Sequence, residues 1–386
     1  MNLKESNRWV RKAQTIPWTE IETRCAALFS SRKGNVAKPL RLALGACIIQ
    51  AEYGFSDEET ALMIQENPYL QCFCGYPGYD DEKLPFDPSL MVYFRKRLTP
   101  EILGEINEMI IRDAKERQEK ENKSNDDADD AQENGGNSGT MIVDAPAHRP
   151  ISGILRTFLC SMRPEKTLTA QQAERLDTIR TIYEQQKYMY DHRTHSVPDR
   201  IVSVSQPFVR PIVRGKAAKP VEFGAKLDIS VVAGWTRLEF CSFDAYNEAG
   251  NLQAMAERFR KREGHYPSRI LADKIYRNRE NLRYCREHGI RLSGPALGRP
   301  KKGETRDKAQ DYRDECERVE VERRFSLAKR KCGMGLVTAK LRETAAHVIA
   351  MSVLVLILRR IQCALLWLIT YLTACFRSIE KWAIVQ

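Results

Sequence analysis

Apolar and polar positions divide the chain into stretches of different period. Up to residue 111 the period is helical. KPLRLALGACIIQAEYG spaces its apolar residues along one helix face and ends at Gly54, a residue suited to a C-cap. Ser56 opens the next helix, SDEETALMIQENPYL, with Glu59 three residues on, the pattern of a capping box. After the turn-rich CGYPGYDDEKLPFDP, the run SLMVYFRKRLTPEILGEINEMIIRDAKER predicts helix again, interrupted at Pro100. Residues 1–111 are therefore expected to form an all-helical domain. Short helices around the basic FRKRL suit a helix-turn-helix-like DNA reader, and a helical dimerisation unit fits the same pattern.

Residues 112–139 hold charged residues, Asn and Gly with almost no large apolar side chain, which predicts a flexible acidic linker. The period then changes. TMIVDA reads as a strand, TAQQAERLDTIRTIYEQQKYMYDHR as a helix, and RIVSVSQPFVRPIV as extended chain limited by Pro207 and Pro211. VEFGAKLDISVV and TRLEFCSFDAY read as strands around an Ala233-Gly234 turn. NLQAMAERFRKREG follows as a helix, SRILADK as a strand, NRENLRYCREHG as a helix and IRLSGP as a short strand. QDYRDECERVEVERRFSLAKRK closes the series as a long charged helix. Over residues 140–343 this order predicts an α/β domain with a mixed sheet.

Residues 344–386 are expected to form apolar C-terminal helices. Arg359 and Arg360 split the most apolar stretch, residues 345–376, into runs of about 13 and 16 residues, each short of the roughly 20 that span a bilayer. Two core helices are the preferred reading and a membrane hairpin the other.

Composition narrows the function. Lys and Arg total 62 against 51 Asp and Glu, a net charge of +11, which favours a polyanionic partner, nucleic acid before an anionic membrane. The 11 cysteines are odd in number, and Cys72-Phe-Cys74 lacks the spacing of a zinc site. With the polar start MNLKESNRWVRKAQ, they are read as reduced thiols in a cytoplasm. His192 and His195 are read as a solvated helix end rather than a metal pair. No G-x4-G-K-[ST] loop and no H-E-x-x-H helix occurs, which argues against ATP hydrolysis and zinc proteolysis.

The candidate chemistry lies in carboxylates. Met141-Ile142-Val143 delivers Asp144, and Ile270-Leu271-Ala272 delivers Asp273, each an acid at the end of an apolar strand. Such an acid caps a turn or helix, or is held rigidly at a sheet edge where ligands reach it. Phosphoryl transfer on DNA uses oxygen ligands for two Mg²⁺ ions about 4 Å apart, which calls for a third acid. Among Glu315, Glu317, Glu320 and Glu322, Glu322 stands out. Arg318 lies four residues before it on the same helix face, Phe325 and Leu327 can pack inward, and Lys329 lies two turns after. A solvated helix laced with charge pairs is the alternative.

The combination resembles the DDE transposases of bacterial insertion sequences, in the branch related to insertion sequence five with a helical amino-terminal domain. MIVDA with Asp144, ILADKIYRNREN with Asp273 and RVEVERRFSLAKRK with Glu322 carry the match. The last contains an R-x3-E-x6-K signature as Arg318, Glu322 and Lys329. FVRPIVRGKAAKPVEFGAK, SDEETALMIQENPYLQCFCGY and FDPSLMVYFRKRL are similar to family text as well. The resemblance implies an RNase H-like catalytic core with Asp144 and Asp273 on adjacent strands and Glu322 on a helix. It further implies two Mg²⁺ or Mn²⁺ ions held by these three acids, with Arg318 and Lys329 on phosphate. The implied reaction is cleavage at the ends of the element by water, then in-line attack of the freed 3′-OH on target DNA. The implied partners are terminal inverted repeats, target DNA and a second copy on paired ends, in the cytoplasm at the nucleoid. One departure falls in the signature, where Glu315 stands in place of the family's Tyr.

A larger departure follows Asp144. Related proteins continue D-A-T-C-A-P-S-N-I-R, whereas this chain reads DAPAHRPISGILRTFLCSMRPE before KTLTAQQ. Loss of one base after the Ala145 codon converts a coding string for the family text into this one. Residues 146–166 are therefore expected to be out-of-frame text followed by an internal deletion, which removes DNA-contacting surface. The alternative function is a non-catalytic DNA-binding remnant. Leu297 to Lys302, LGRPKK, is read as a phosphate-contacting loop in preference to a minor-groove reader.

Overall fold

The computed structural model describes residues 3–29, 38–123, 136–144, 169–213, 221–294 and 307–385, with backbone alone at 121–123, 136–144, 213 and 365–385. Seven helices come first: α1 Arg8–Thr15, α2 Trp18–Cys25, α3 Leu40–Tyr53, α4 Asp57–Glu66, α5 Pro68–Phe73, α6 Leu90–Arg97 and α7 Pro100–Lys123. Their boundaries follow local chemistry. Gly54 stops α3 in the left-handed conformation at φ 75°, its N–H donating to the Gln50 carbonyl. Ser56 and Glu59 close a reciprocal capping box at the start of α4, at 3.1 and 2.7 Å. Pro100 starts α7, where its missing N–H is no loss.

The linker expected over 112–139 begins as helix, because α7 runs on to Lys123. Its charged turns need little apolar content. Ala114 is buried, Arg117 pairs with Asp113 one turn back at 2.8 Å, and Lys115 reaches Glu263 at 3.1 Å. The far end of the expected linker joins a strand, β1 Gly136–Asp144.

The remaining elements are α8 Ala170–Asp191, β2 Pro211–Val213, β3 Val221–Val232, β4 Trp235–Ser242, α9 Leu252–Glu263, β5 Arg269–Leu271, α10 Arg279–Glu287, β6 Arg291–Leu292, α11 Lys308–Lys331 and α12 Arg342–Val385. They build a mixed six-stranded sheet. β3 pairs antiparallel with β1 and β4, and with β2 at its start; β1 runs parallel to β5, and β5 to β6. The Ala233-Gly234 hairpin turn has φ of 48° and 75°. A Cβ on Gly234 would meet only the movable Arg360 guanidinium, so it is the left-handed φ that calls for glycine there.

Alternation along β3 separates two faces. Leu227, Ile229 and Val231 join the main core with Val321, Phe325 and Ala328 of α11. Lys226, Asp228 and Ser230 lie on the other side, buried and satisfied. Lys226 pairs with Glu248 at 2.7 Å, and Asp228 accepts from Tyr246 at 2.8 Å and Asn251 at 2.6 Å. Ser230 donates to Glu239 at 2.6 Å, and Glu239 also holds Arg258 and Arg262 at 2.8 and 2.7 Å. A smaller core beneath α9 and α10 includes Leu252, Ala256, Ile270, Tyr276 and Cys285.

The C-terminal region corrects an expectation. In place of two helices split at Arg359 and Arg360, one helix continues through both. Long side chains carry the charges sideways to partners, so the backbone has no need to break. Arg359 reaches Glu52 at 3.7 Å, and Arg360 lies over the Trp235 ring at 4.3 Å. α12 is long and apolar enough to cross a membrane by length and composition. Yet Val353 to Leu358 are buried without interruption, and α12 packs on α1, α3, α6, α7, α11 and β4. The amino-terminal helices and the sheet therefore share one core, joined also by Arg237 of β4, which pairs with Glu108 of α7 at 2.6 Å.

Candidate active site

Asp273 follows β5 at the sheet edge on a stiff mount. The preceding Ala272 donates its N–H to Ser293 Oγ at 3.2 Å, and Ser293 N–H returns to the Ile270 carbonyl at 2.9 Å. Beyond Asp273 the chain makes a tight turn anchored by buried Tyr276. Asn281, itself buried, donates from one side-chain amide to the Tyr276 and Ala249 carbonyls at 2.9 and 2.8 Å. The Asp273 side chain is left 62% exposed, within reach of solvent and ligands.

α11 brings the other groups. Asp307 caps it, accepting from the N–H groups of Ala309 and Gln310 at 3.0 Å each. Two ion pairs dock it on the sheet. Arg291 of β6 grips Asp314 bidentately at 2.6 and 2.8 Å, and Arg269 of β5 holds Glu317 at 2.9 to 3.0 Å. The Arg291 guanidinium holds the Asp314 carboxyl below the usual carboxylate range. Val321, Phe325 and Ala328 turn inward at spacings of four and three. With that face committed, Arg318 and Glu322 point outward over β5. Arg318 Nη1 lies 2.8 Å from Asp273 Oδ1 and 3.6 Å from Glu322 Oε1, while its Nη2 bonds Glu315 at 3.2 Å. Glu322 is 63% exposed.

Two of the three expected acids thus meet at one guanidinium. Asp144 ends β1, opposite Gly224 of β3, and β1 is the strand beside β5. The register, however, sets Asn137 against Leu271. Asp144 lies seven residues past the first and Asp273 two past the second, an offset of five residues or roughly 16 Å along the strands. Lys329 sits half-buried in the last turn of α11, two turns beyond Glu322. Residues 146–166 and the LGRPKK loop lie outside the described residues. His192 is exposed and stacks on Tyr188 at 4.0 Å, its Nδ1 against the Tyr188 carbonyl.

The donor chemistry suits a hard divalent cation, since two carboxylates from different elements already converge on a positive group. Among the described residues, no cluster of three His, Cys, Asp or Glu side chains could hold an ion. Sequence reasoning missed the docking pairs Arg291–Asp314 and Arg269–Glu317, and the supports Ser293 and Asn281. The acids of α11 were visible as a charged run, but their partners are tens of residues away and only the fold pairs them.

Comparison with known proteins finds two families. The Transposase DDE domain family matches residues 270–359, which hold Asp273, Arg318, Glu322 and Lys329. The Transposase domain (DUF772) family matches residues 2–97, helices α1 to α6. Both matched families are transposase domains, and the one that holds the candidate site is of the DDE type. An uncharacterized protein of Rhizobium meliloti, ORF8 in the nfe locus, is 35% identical over 105 residues, 27% of this chain. The match spans 50% of that relative's length. No solved structure matches the chain.

Proposed function

We propose that this chain is a DDE transposase that cleaves and joins DNA at the ends of an insertion sequence by in-line phosphoryl transfer, with Asp144, Asp273 and Glu322 as metal ligands and Arg318 and Lys329 on phosphate. One observation carries the reading: α11 and the end of β5 bring Glu322 and Asp273 to a common cation. Antiparallel β4, β3 and β1, followed by β5 and β6 parallel to β1, support an RNase H-like core. Mg²⁺ or Mn²⁺, when bound, supplies activation of the attacking oxygen and stabilisation of the leaving one. The chain's part is to hold the carboxylates on rigid supports and to orient phosphates with its cations. DNA affinity is supported by the +11 charge and by the outward face of α6, which presents Tyr93 and Lys96.

The test is cleavage of the element's terminal repeats with Mg²⁺, comparing this chain with Asp273→Ala and Glu322→Gln. Each substitution should cost on the order of a thousandfold in rate, the several kcal/mol that metal catalysis contributes. The five-residue offset of Asp144 favours a second reading, a DNA-binding remnant without catalysis. Equal, background cleavage by this chain and Asp273→Ala, with salt-dependent DNA binding retained in both, would establish the remnant. Recovery of cleavage when the segment after Ala145 is replaced by in-frame family text would trace the loss to the expected deletion.

A further inference from the structure

We infer that Arg318 is a built-in latch that holds the metal-binding carboxylates in the metal-free protein and must leave them when a divalent cation binds. The inference rests on the proposed metal role of Asp273 and Glu322, and it adds a competitor for their oxygens.

The geometry is that of a cation already in place. One guanidinium nitrogen lies between Asp273 Oδ1, at 2.8 Å, and Glu322 Oε1, at 3.6 Å, and the other bonds Glu315 at 3.2 Å. The two catalytic candidates come from separate elements, β5 and α11, and like charges repel. A guanidinium between them offsets that repulsion and keeps the loop after β5 against the helix. Arg318 is three-quarters covered while all three acids are well exposed, so its position is specified by packing and pairing.

A divalent cation and the guanidinium cannot both occupy the gap. The guanidinium already engages the Asp273 carboxylate that a cation would need, and adjacent positive charges repel. Arginine does not lose its proton in proteins, so the exchange is a movement and releases no proton. Glu315 gives the displaced group somewhere to go. It sits three residues back on the same helix, already bonded to the second guanidinium nitrogen, and rotation about the Arg318 side chain can leave that bond while vacating the first. Glu315 can thus keep Arg318 beside the site. From there the guanidinium can take a DNA phosphate bidentately, which couples metal entry to substrate grip.

The experiment measures Mn²⁺ binding to the full chain by loss of the free-ion electron paramagnetic resonance signal. The variants are Arg318→Gln, Arg318→Lys, Arg323→Gln and Asp273→Asn. Arg323 is the control for net charge, because it lies on the same helix and pairs with Glu320. Arg318→Gln should bind Mn²⁺ about tenfold more tightly, the worth of one charge-assisted hydrogen bond removed from the competing state. Arg318→Lys should fall between it and the native chain, and Arg323→Gln should change affinity far less. Thermal melting adds a readout that a misfolded variant could not mimic. With chelator, Arg318→Gln should melt below the native chain, and Mn²⁺ should raise its midpoint by more than it raises the native one. Affinity of Arg318→Gln equal to or weaker than that of the native chain, or a gain no larger than that of Arg323→Gln, overturns the latch. If Asp273→Asn binds Mn²⁺ as well as the native chain does, the metal-site reading itself is wrong, whatever Arg318 does.

Discussion

His347 shows how a single side chain records its surroundings. It is buried on α12 with its Nδ1 against the Leu98 carbonyl, and burial pushes its pKa down to about 4 from an ordinary 6.5. The folded state therefore rejects a proton that the unfolded chain accepts. The stabilisation is complete above pH 6.5 and is lost as pH falls from there toward 4, roughly 3 kcal/mol in all. Asn can keep the bond to Leu98 without titrating. His347→Asn should accordingly flatten the stability profile between pH 6.5 and 4.5, as measured by urea unfolding at a series of pH values. The depressed carboxyls of Asp57, Glu239 and Asp314 lose their contribution only as pH falls below their ordinary range, so the two windows separate. Nothing in AAHVIAM marked this histidine as buried beside a carbonyl; a helix sequence records its own faces but not what packs on them.

Among the elements, α11 matters most to the site, and its angle about its own axis decides whether Glu322 meets Asp273. Apolar Val321, Phe325 and Ala328 turn one face inward, and the Arg291–Asp314 grip fixes the rotation at the amino-terminal half. Asp314→Asn should lower the melting temperature by an amount corresponding to about 1–3 kcal/mol, since Asp314 is buried and Arg291 partly exposed. The same variant should weaken Mn²⁺ binding although Asp314 is no ligand, because Glu322 loses its aim. Unchanged Mn²⁺ affinity would falsify this positioning role. The helices, strands, capping box and hairpin turn were readable beforehand because each depends on residues within a few positions. The linker was misread in its first part, because α7 is sustained there by pairs with Asp113 and Glu263, and the second of these is remote.

Across the whole molecule, α12 joins regions that composition separates. It lies against α1, α3, α6 and α7 on the amino-terminal side and against β4 and α11 of the sheet domain. Removing residues 1–111 would bare the apolar flank of α12 and strip Glu108 from buried Arg237. The truncated chain should aggregate, whereas the full chain should unfold in one transition by circular dichroism and tryptophan fluorescence alike. Two separable transitions, with a soluble folded fragment from residue 112 onward, would show independent domains instead.

By itself the sequence determined the order and type of most elements, the two strand-borne acids and the signature of Arg318, Glu322 and Lys329, since periodicity, caps and motif spacing are local properties. Only the tertiary structure decided which acids come together. Asp273 and Glu322 meet because β5 and α11 are clamped by partners far along the chain, whereas the position of Asp144 depends on strand register, which no short stretch specifies. It likewise decided that one unbroken helix, its arginines turned aside to Glu52 and Trp235, forms the core common to both halves.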